Sequence, residues 1–437
     1  MLSRIPDFVR IQEVEELHPP IGRWHFDGTN EIESFLVHVR LRSESLKNFD
    51  LDFDRERILF QFEKLFPSLK IKIAEDMFSF ERFYTVIREL NFSASVGYPY
   101  CRVYPTIGDM FGWDGVRLDN SKLTLWYNVF LIWLKDPQPQ PFRVFIKDEL
   151  VNQKKFDQGR LRLIFVSPIM NQILDHLLFD EMNQLEQELA WEVPTKLGWH
   201  PFWGASEKLV SHFENPTSLD KSMWDWTVTW ELLQIDRDFR KRMIVNLTPE
   251  IEKYIDLSYD FAYKQASFIF SNGVVVKQLG SGIMKSGLVN TLSTNSHLQV
   301  VIHLLAQQQC GHQYKMWCLG DDVVMSRPCP LYKQILSKYC VVKEFEDGYL
   351  FAGFNCFTKE PLYWSKHVNN LLYATDEELP ELLASYQRLY VFSPRKLALI
   401  QNLLMDLNPS LIVSKESLKY WAVFSQSLDQ FQYRVLT

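Results

Sequence analysis

Two sets of carboxylates in this chain stand at spacings that could hold metal ions. The first lies in Leu219-Asp220-Lys221-Ser222-Met223-Trp224-Asp225-Trp226. Asp220 closes a short strand-like run there, and Asp225 stands across one tight turn, ahead of a helix expected from about Thr227. The second is Gly320-Asp321-Asp322, set between the apolar runs 315–319 and 323–325. Gly at the bend permits a β-hairpin that presents two adjacent carboxylates at its tip. Two-metal phosphoryl transfer needs hard oxygen ligands from more than one strand, holding two Mg²⁺ ions about 3.5–4 Å apart. Asp220 and Asp321 are the natural bridging ligands. Each motif alone has a plainer reading: an acidic surface turn for Gly-Asp-Asp, and a helix N-cap with a surface acid for the pair.

A third segment is polar instead of acidic. Gly280-Ser281-Gly282 and Ser286-Gly287 make a loop able to bring backbone close to a ligand, and Ser286 is placed to cap the helix that follows. Thr291, Asn295 and Gln299 recur every four residues as a polar stripe, while Leu292, Val301, Ile302 and Leu305 form an apolar one. A ribose 2′-hydroxyl both donates and accepts, and an Asn beside a carboxylate such as Asp225 matches it. Taken alone, loop and stripe could equally be a surface helix with an ordinary cap.

The elements that must position these groups follow from composition and punctuation. At 437 residues and 46% apolar content the chain folds, and it is too long for one core, so two or three subdomains are expected. A net charge of −7 argues against coating nucleic acid by bulk charge. Residues 141–170, however, carry a net +3, leaving −10 for the rest. That basic segment follows a connector in which Pro137, Pro139 and Pro141 alternate, forbidding helix. It reads as a finger-like hairpin of strands 143–147 and 161–166, followed by a helix over 170–190. The apolar run 123–134 reads as a buried helix, being about half the length of a membrane span. Beyond residue 360 the pattern is helical, with Ser393-Pro394 starting one helix and Asn408-Pro409 ending it. Residues 1–20, with Arg4, Asp7 and Arg10, read as ordinary mature sequence and not a secretory signal. The six cysteines have no C-x-x-C spacing and suit reduced thiols; Cys310, His312 and Cys318 come nearest to a zinc set but match no standard finger.

Taken in order, Asp220-x4-Asp225, Ser286-Gly287-x3-Thr291-x3-Asn295 and Gly320-Asp321-Asp322 resemble motifs A, B and C of viral RNA-dependent RNA polymerases. Lys147-Asp148-Glu149-Leu150 through Gly159 to Ile164 resembles motif F, and Ser95-Val96-Gly97-Tyr98-Pro99 resembles motif G. The wording around motifs F and B is most similar to sobemovirus-like, barnavirus and polerovirus polymerases of positive-strand RNA viruses. The interval 221–224 departs from the small residues of that pattern, and motif E is faint, with 350–354 standing where it would fall.

The resemblance implies an α+β right-hand polymerase with an antiparallel palm sheet and a helical thumb. It divides the chain into fingers (1–170), palm (171–237), a fingers insertion (238–279), palm (280–356) and thumb (357–437). It implies RNA-directed RNA polymerase activity with Mg²⁺ as cofactor (Mn²⁺ able to substitute), held by Asp220, Asp321 and Asp322. Lys147, Lys155, Arg160 and Arg162 would line the nucleotide channel. Asp225, Ser286, Gly287, Thr291 and Asn295 would bind the nucleotide and select ribose, and Ser95, Gly97 and Pro99 would guide the template. Lys343 falls where motif D places a lysine that protonates pyrophosphate, although Lys338 is near and a solvated strand-end lysine is the plain alternative. The implied partners are RNA template and primer or product strand, NTPs and a genome-linked protein primer, with no transmembrane segment, in the host cell cytoplasm at viral replication complexes. Two rivals stay in view: a reverse transcriptase, which usually carries Tyr-x-Asp-Asp at the hairpin, and a non-catalytic RNA-binding protein built on a decayed polymerase.

Overall fold

A computed structural model describes residues 21–22 and 27–424 of the chain. The reading of residues 1–20 lies outside the described residues, as does the tail beyond 424.

The central sheet is built from β5 (Pro216–Lys221), β8 (Met316–Leu319), β9 (Asp322–Ser326) and β10 (Val342–Asp347), in the order β10-β5-β9-β8. All three pairings are antiparallel. The expected hairpin is present, and its near-continuous apolar sequence has a structural cause. Side chains alternate across a strand, and here both faces are covered: Met316, Cys318, Val323 and Met325 enter one core, while Trp317 and Val324 enter another. The second core gathers the C-terminal helices Trp364–Tyr373, Leu379–Leu389, Pro394–Leu407 and Lys415–Phe424. Phe202, Leu209 and Phe213 from the helix Ala205–His212 and its flanks also join it.

A second sheet supports the basic finger. β2 (Phe142–Ile146) pairs antiparallel with β4 (Leu163–Val166) and parallel with β6 (Ser267–Ile269), which pairs antiparallel with β7 (Val275–Lys277). Between β2 and β4, β3 (Val151–Asn152) pairs with β1 (Ile21–Gly22). Where the faint motif E stands, β11 (Leu350–Phe351), β12 (Phe354–Asn355) and β13 (Glu360–Pro361) form a small sheet.

Two local expectations need correction. The helix Asn120–Lys135 buries Leu123, Phe130 and Leu134 but exposes Leu125 and Ile132, so it is an amphipathic surface helix with apolar residues on both faces. Ser286 does not cap the helix Thr291–Cys310. Its N-cap is Asn290, whose Oδ1 accepts from the Asn183 amide at 2.8 Å and makes no capping bond, while the Ser286 Oγ accepts the Phe165 N–H at 3.3 Å. Leu292, expected on the apolar face, is 48% exposed.

The helix Thr291–Cys310 runs nearly enclosed beneath the sheet. A polar helix can be enclosed only if its groups find partners, and they do. His297 donates and is held between Asp236 at 2.5 Å and Glu186 at 3.1 Å, while Arg240 bonds Asp236, Ser293 and Thr294. All four ionisable groups are fully buried. Two cations against two carboxylates leave the cluster neutral. Burial alone would raise Asp236 and Glu186, yet Arg240 and His297 hold both below the usual carboxylate range. Burial likewise opposes the charge on His297, but Glu186 and Asp236 raise it above the ordinary histidine value.

Candidate active site

Asp220 projects from β5, and Asp321 and Asp322 from the β8–β9 turn. The β5–β9 register pairs Leu219 with Val323, so one further step sets Asp220 opposite Asp322. Gly320 makes the turn with φ 61°, a left-handed conformation that favours glycine. Its N–H donates to the Ser296 Oγ at 2.8 Å, and the same hydroxyl donates to the Leu292 carbonyl at 2.8 Å.

Alternation along β5 separates Asp220 from its neighbour Lys221: Asp220 is exposed, whereas Lys221 is buried, with its Nζ donating to the Asp321 carbonyl at 3.3 Å. The unusual interval 221–224 therefore serves the site from below. Trp224 donates its indole N–H to the Asn295 Oδ1 at 2.9 Å, and Asn295 Nδ2 donates to Asp225 Oδ1 at 3.0 Å. Both ends of the Asn295 amide are engaged, so it orients Asp225.

β10 carries a register shift between Val342 and Glu344, and Lys343 is the residue at the bulge. Its Nζ reaches Asp220 Oδ2 at 2.5 Å and Glu344 at 3.3 Å. The hydrogen bond to Asp220 raises its pKa. Lys338 instead faces Asp50 at 3.4 Å, which separates the two lysines by position.

The negative charge here exceeds its compensation. Asp322 keeps an exposed edge, but withdrawal of its carboxyl from water and the neighbouring Asp321 charge push it up to about 6. Asp225 is pushed up to about 6 by burial and then by Asp321. Against Asp220, Asp225, Asp321 and Asp322 stand Lys343 and the buried Lys221. Hard oxygen donors with surplus negative potential fit divalent cations of the Mg²⁺ class. The three carboxylates repel one another, and Lys343 holds Asp220.

The loop before the helix Thr291–Cys310 docks on β4. Gly287 is required by this approach: a Cβ there would lie 2.0 Å from the Phe165 carbonyl oxygen. The Thr291 hydroxyl donates to the Lys285 and Leu288 carbonyls at 2.8 and 2.9 Å. Ser286 thus ties the loop to β4 and Thr291 holds loop backbone, while Asn295 alone of the three meets Asp225 through its side chain. Lys285 is fully buried and donates to Gln278 Oε1 at 2.7 Å. Arg42, from the helix Gly28–Leu46, donates to the carbonyls of Trp226, Val228 and Ser281, joining the turn after Asp225 to this loop. Burial lowers its pKa to about 10.

In the basic finger, Lys147 and Arg162 flank Glu149 at 3.7 and 3.2 Å. Arg162 remains largely exposed, and across the gap its charge offsets a small part of the rise that burial and Asp321 impose on Asp225. Lys155 and Arg160 lie farther along, close enough for both charges to depress His38 after the larger effect of its burial. Ser95, Gly97 and Pro99 form a turn beside Ser167-Pro168: the Ile169 N–H donates to the Val96 carbonyl at 3.0 Å, and the Gly97 N–H to the Ser95 Oγ at 3.3 Å.

Sequence reasoning missed Ser296, Lys221, Arg42 and Tyr363. Alternation along β5 could have found Lys221. Glu31, Ser34, His38 and Arg42, spaced by three or four on a buried face, could have flagged Arg42. Tyr363 carries no motif, yet after burial the charges of Asp322 and Asp220 are what raise its phenol.

The fold is that of a right-hand polymerase. The solved structure of the Sicinivirus 3Dpol RNA dependent RNA polymerase superposes with a TM-score of 0.58 at 17% identity, covering 76% of each chain. In sequence, residues 58–338 match the family described as viral RNA-dependent RNA polymerase, and the chain belongs to that family. Curated relatives include Protein P1-P2 of Potato leafroll virus, 28% identical over 269 residues, which are 56% of this chain and 25% of that protein. Replicase polyprotein P2AB of Cocksfoot mottle virus is 29% identical over 194 residues, 42% of this chain and 20% of that one. The expected similarity to polerovirus and sobemovirus replicases is met. The chain spans about a quarter of the length of the curated relatives it matches.

Proposed function

We propose that this chain is the RNA-directed RNA polymerase of a positive-strand RNA virus, joining NTPs on an RNA template. The observation carrying the reading is the presentation of Asp220, Asp321 and Asp322 at one end of one antiparallel sheet, with Lys343 on Asp220. In the proposed reaction the primer 3′-hydroxyl attacks the α-phosphate of the incoming NTP and expels pyrophosphate.

Asp220, Asp321 and Asp322 would hold two Mg²⁺ ions, with Mn²⁺ able to replace them. When bound, these ions acidify the attacking hydroxyl and neutralise charge growing on the phosphate. Lys343 stands within reach of the same carboxylate and serves as proton donor to the leaving pyrophosphate. Lys147, Lys155, Arg160 and Arg162 draw in the triphosphate, Arg162 being the exposed guanidinium whose field reaches Asp225. Asp225, oriented by Asn295, accepts the ribose 2′-hydroxyl; Ser286, Gly287 and Thr291 fix the loop beneath. Ser95, Gly97 and Pro99 guide the template.

In this reading synthesis starts from a genome-linked protein primer. Among the described residues no helix is long and apolar enough to cross a membrane. The six free thiols suit a reducing compartment, and the reading places the enzyme at replication complexes in the host cytoplasm. The test is extension on an RNA template with NTPs or dNTPs, with and without a peptide primer. NTP-dependent, peptide-stimulated product supports the reading; no product under any of these conditions removes it.

A further inference from the structure

At the far end of the β8–β9 hairpin from Asp321, three soft donors converge. Cys310 ends the helix Thr291–Cys310, His312 follows on the way to β8, and Cys329 stands at the N-cap of the helix Pro330–Leu336. One donor atom from each lies within 4.8 Å of the other two. Cys318, which sequence spacing grouped with Cys310 and His312, belongs elsewhere: its Sγ lies 3.3 Å from the Ser296 carbonyl in the sheet core. The third member comes instead from the strand-to-helix junction, seventeen positions after His312.

Local bonds orient this set. Gly311 turns the chain with φ 71°, bringing His312 back over the helix end, where Nδ1 lies 2.9 Å from the Cys310 carbonyl. A carbonyl only accepts, so Nδ1 carries the proton and Nε2 carries the lone pair. A histidine that donates one ring N–H to a backbone carbonyl is set up to ligate through the other nitrogen. The Cys329 N–H donates to the Tyr314 hydroxyl at 3.0 Å, and the Tyr314 ring lies within 20° of parallel to that of His312. Cys310 is buried and His312 exposed, so the site has a dry floor and an open mouth.

We infer that Cys310, His312 and Cys329 form a Zn²⁺ site, with water as the fourth ligand. Two thiolates and an imidazole are a zinc donor set, and tetrahedral bonds of about 2.3 Å to sulfur place donors roughly 3.7 Å apart. Closing from separations within 4.8 Å asks for no more than about 1 Å of side-chain movement, with both thiols releasing their protons on binding. The ion would tie the end of the helix carrying Asn295 and Ser296 to the base of the hairpin, beside the Ser326 N–H to Lys315 carbonyl bond of 2.9 Å. Five residues of strand separate it from the Asp321 turn by about 16 Å, so it is distinct from the carboxylate site.

The experiment measures metal in the full chain purified without chelator or metal-affinity steps. About one zinc per chain is expected, and Co²⁺ exchange should give thiolate charge-transfer bands with tetrahedral d–d absorption. His312→Ala, at an exposed position that folding does not need, should lose the stoichiometric zinc with an unchanged circular-dichroism spectrum; Cys356→Ser should retain it. A zinc chelator should lower the melting temperature of the parent chain but not of His312→Ala. Absence of zinc and of cobalt uptake, retention of full zinc in both His312→Ala and Cys329→Ser, or a Cys310–Cys329 disulfide in the protein isolated under reducing conditions would each overturn the assignment.

Discussion

The Gly320 N–H is bound by the Ser296 hydroxyl at 2.8 Å, so the helix that carries Asn295 also holds the turn that presents Asp321. Asn295 and the carboxylate turn are thereby registered against one helix, and a shift of the helix moves both.

Asp321→Ala should reduce primer extension to background, at least about 10³-fold, because in the proposed reaction Asp321 helps to hold both metal ions. RNA binding, measured by a gel or fluorescence assay at fixed salt, should stay nearly intact. Extension at the parent rate would sink the metal assignment.

Asn295→Ala frees Asp225 from its 3.0 Å hydrogen bond. Charge-assisted bonds are worth roughly 1.5–3 kcal/mol, so NTP over dNTP selectivity in single-nucleotide incorporation should fall by about tenfold or more. Unchanged selectivity would remove the Asp225–Asn295 pair from sugar choice.

Lys343→Arg keeps a cation beside Asp220 but withholds an easily surrendered proton. Its kcat should drop by about 10²-fold with KM for NTP little altered, and Lys338→Ala should behave as the parent. Equal loss in both variants would assign Lys343 a structural role only.

His297→Gln should lower unfolding free energy by about 3–5 kcal/mol near neutral pH, because Asp236 and Glu186 lose one of their two cations. The pH dependence has two limbs. His297 is raised above its unfolded value of about 6.5, so its contribution is full below that value and is lost as pH rises through the folded pKa. Asp236 and Glu186 are lowered, so theirs is present above about 4 and is lost as pH falls through their folded values. Urea titrations should show the alkaline limb in the parent and not in His297→Gln; an identical limb in both would refute the protonated His297.

Much of this site is legible in the sequence because its parts are local. A Gly between two apolar runs specifies the hairpin, and four-residue spacing puts Thr291 and Asn295 on one helix face. What escapes is long-range. Ser286 looks like a cap and instead takes up the Phe165 N–H, 121 positions away. Leu292 reads as core, yet it lies against the Gly320 turn: a Cβ on Gly320 would approach it at 3.3 Å. The same distance hides the partner of Lys343, which is fixed by one bulge in β10, and Arg42, whose three carbonyls come from two segments. Periodicity reports which face is wet, not which chain segment covers it.

The stretch 293–297 couples the site to the core of the fold. Ser293 bonds Arg240 and Glu186, Thr294 bonds Arg240 and Asp236, Asn295 bonds Trp224 and Asp225, Ser296 bonds Leu292 and Gly320, and His297 bonds Asp236 and Glu186. Five consecutive side chains each answer to two partners, so any replacement leaves a buried group unmatched. Substitution in this stretch therefore disturbs the carboxylate turn and the buried ion-pair cluster together.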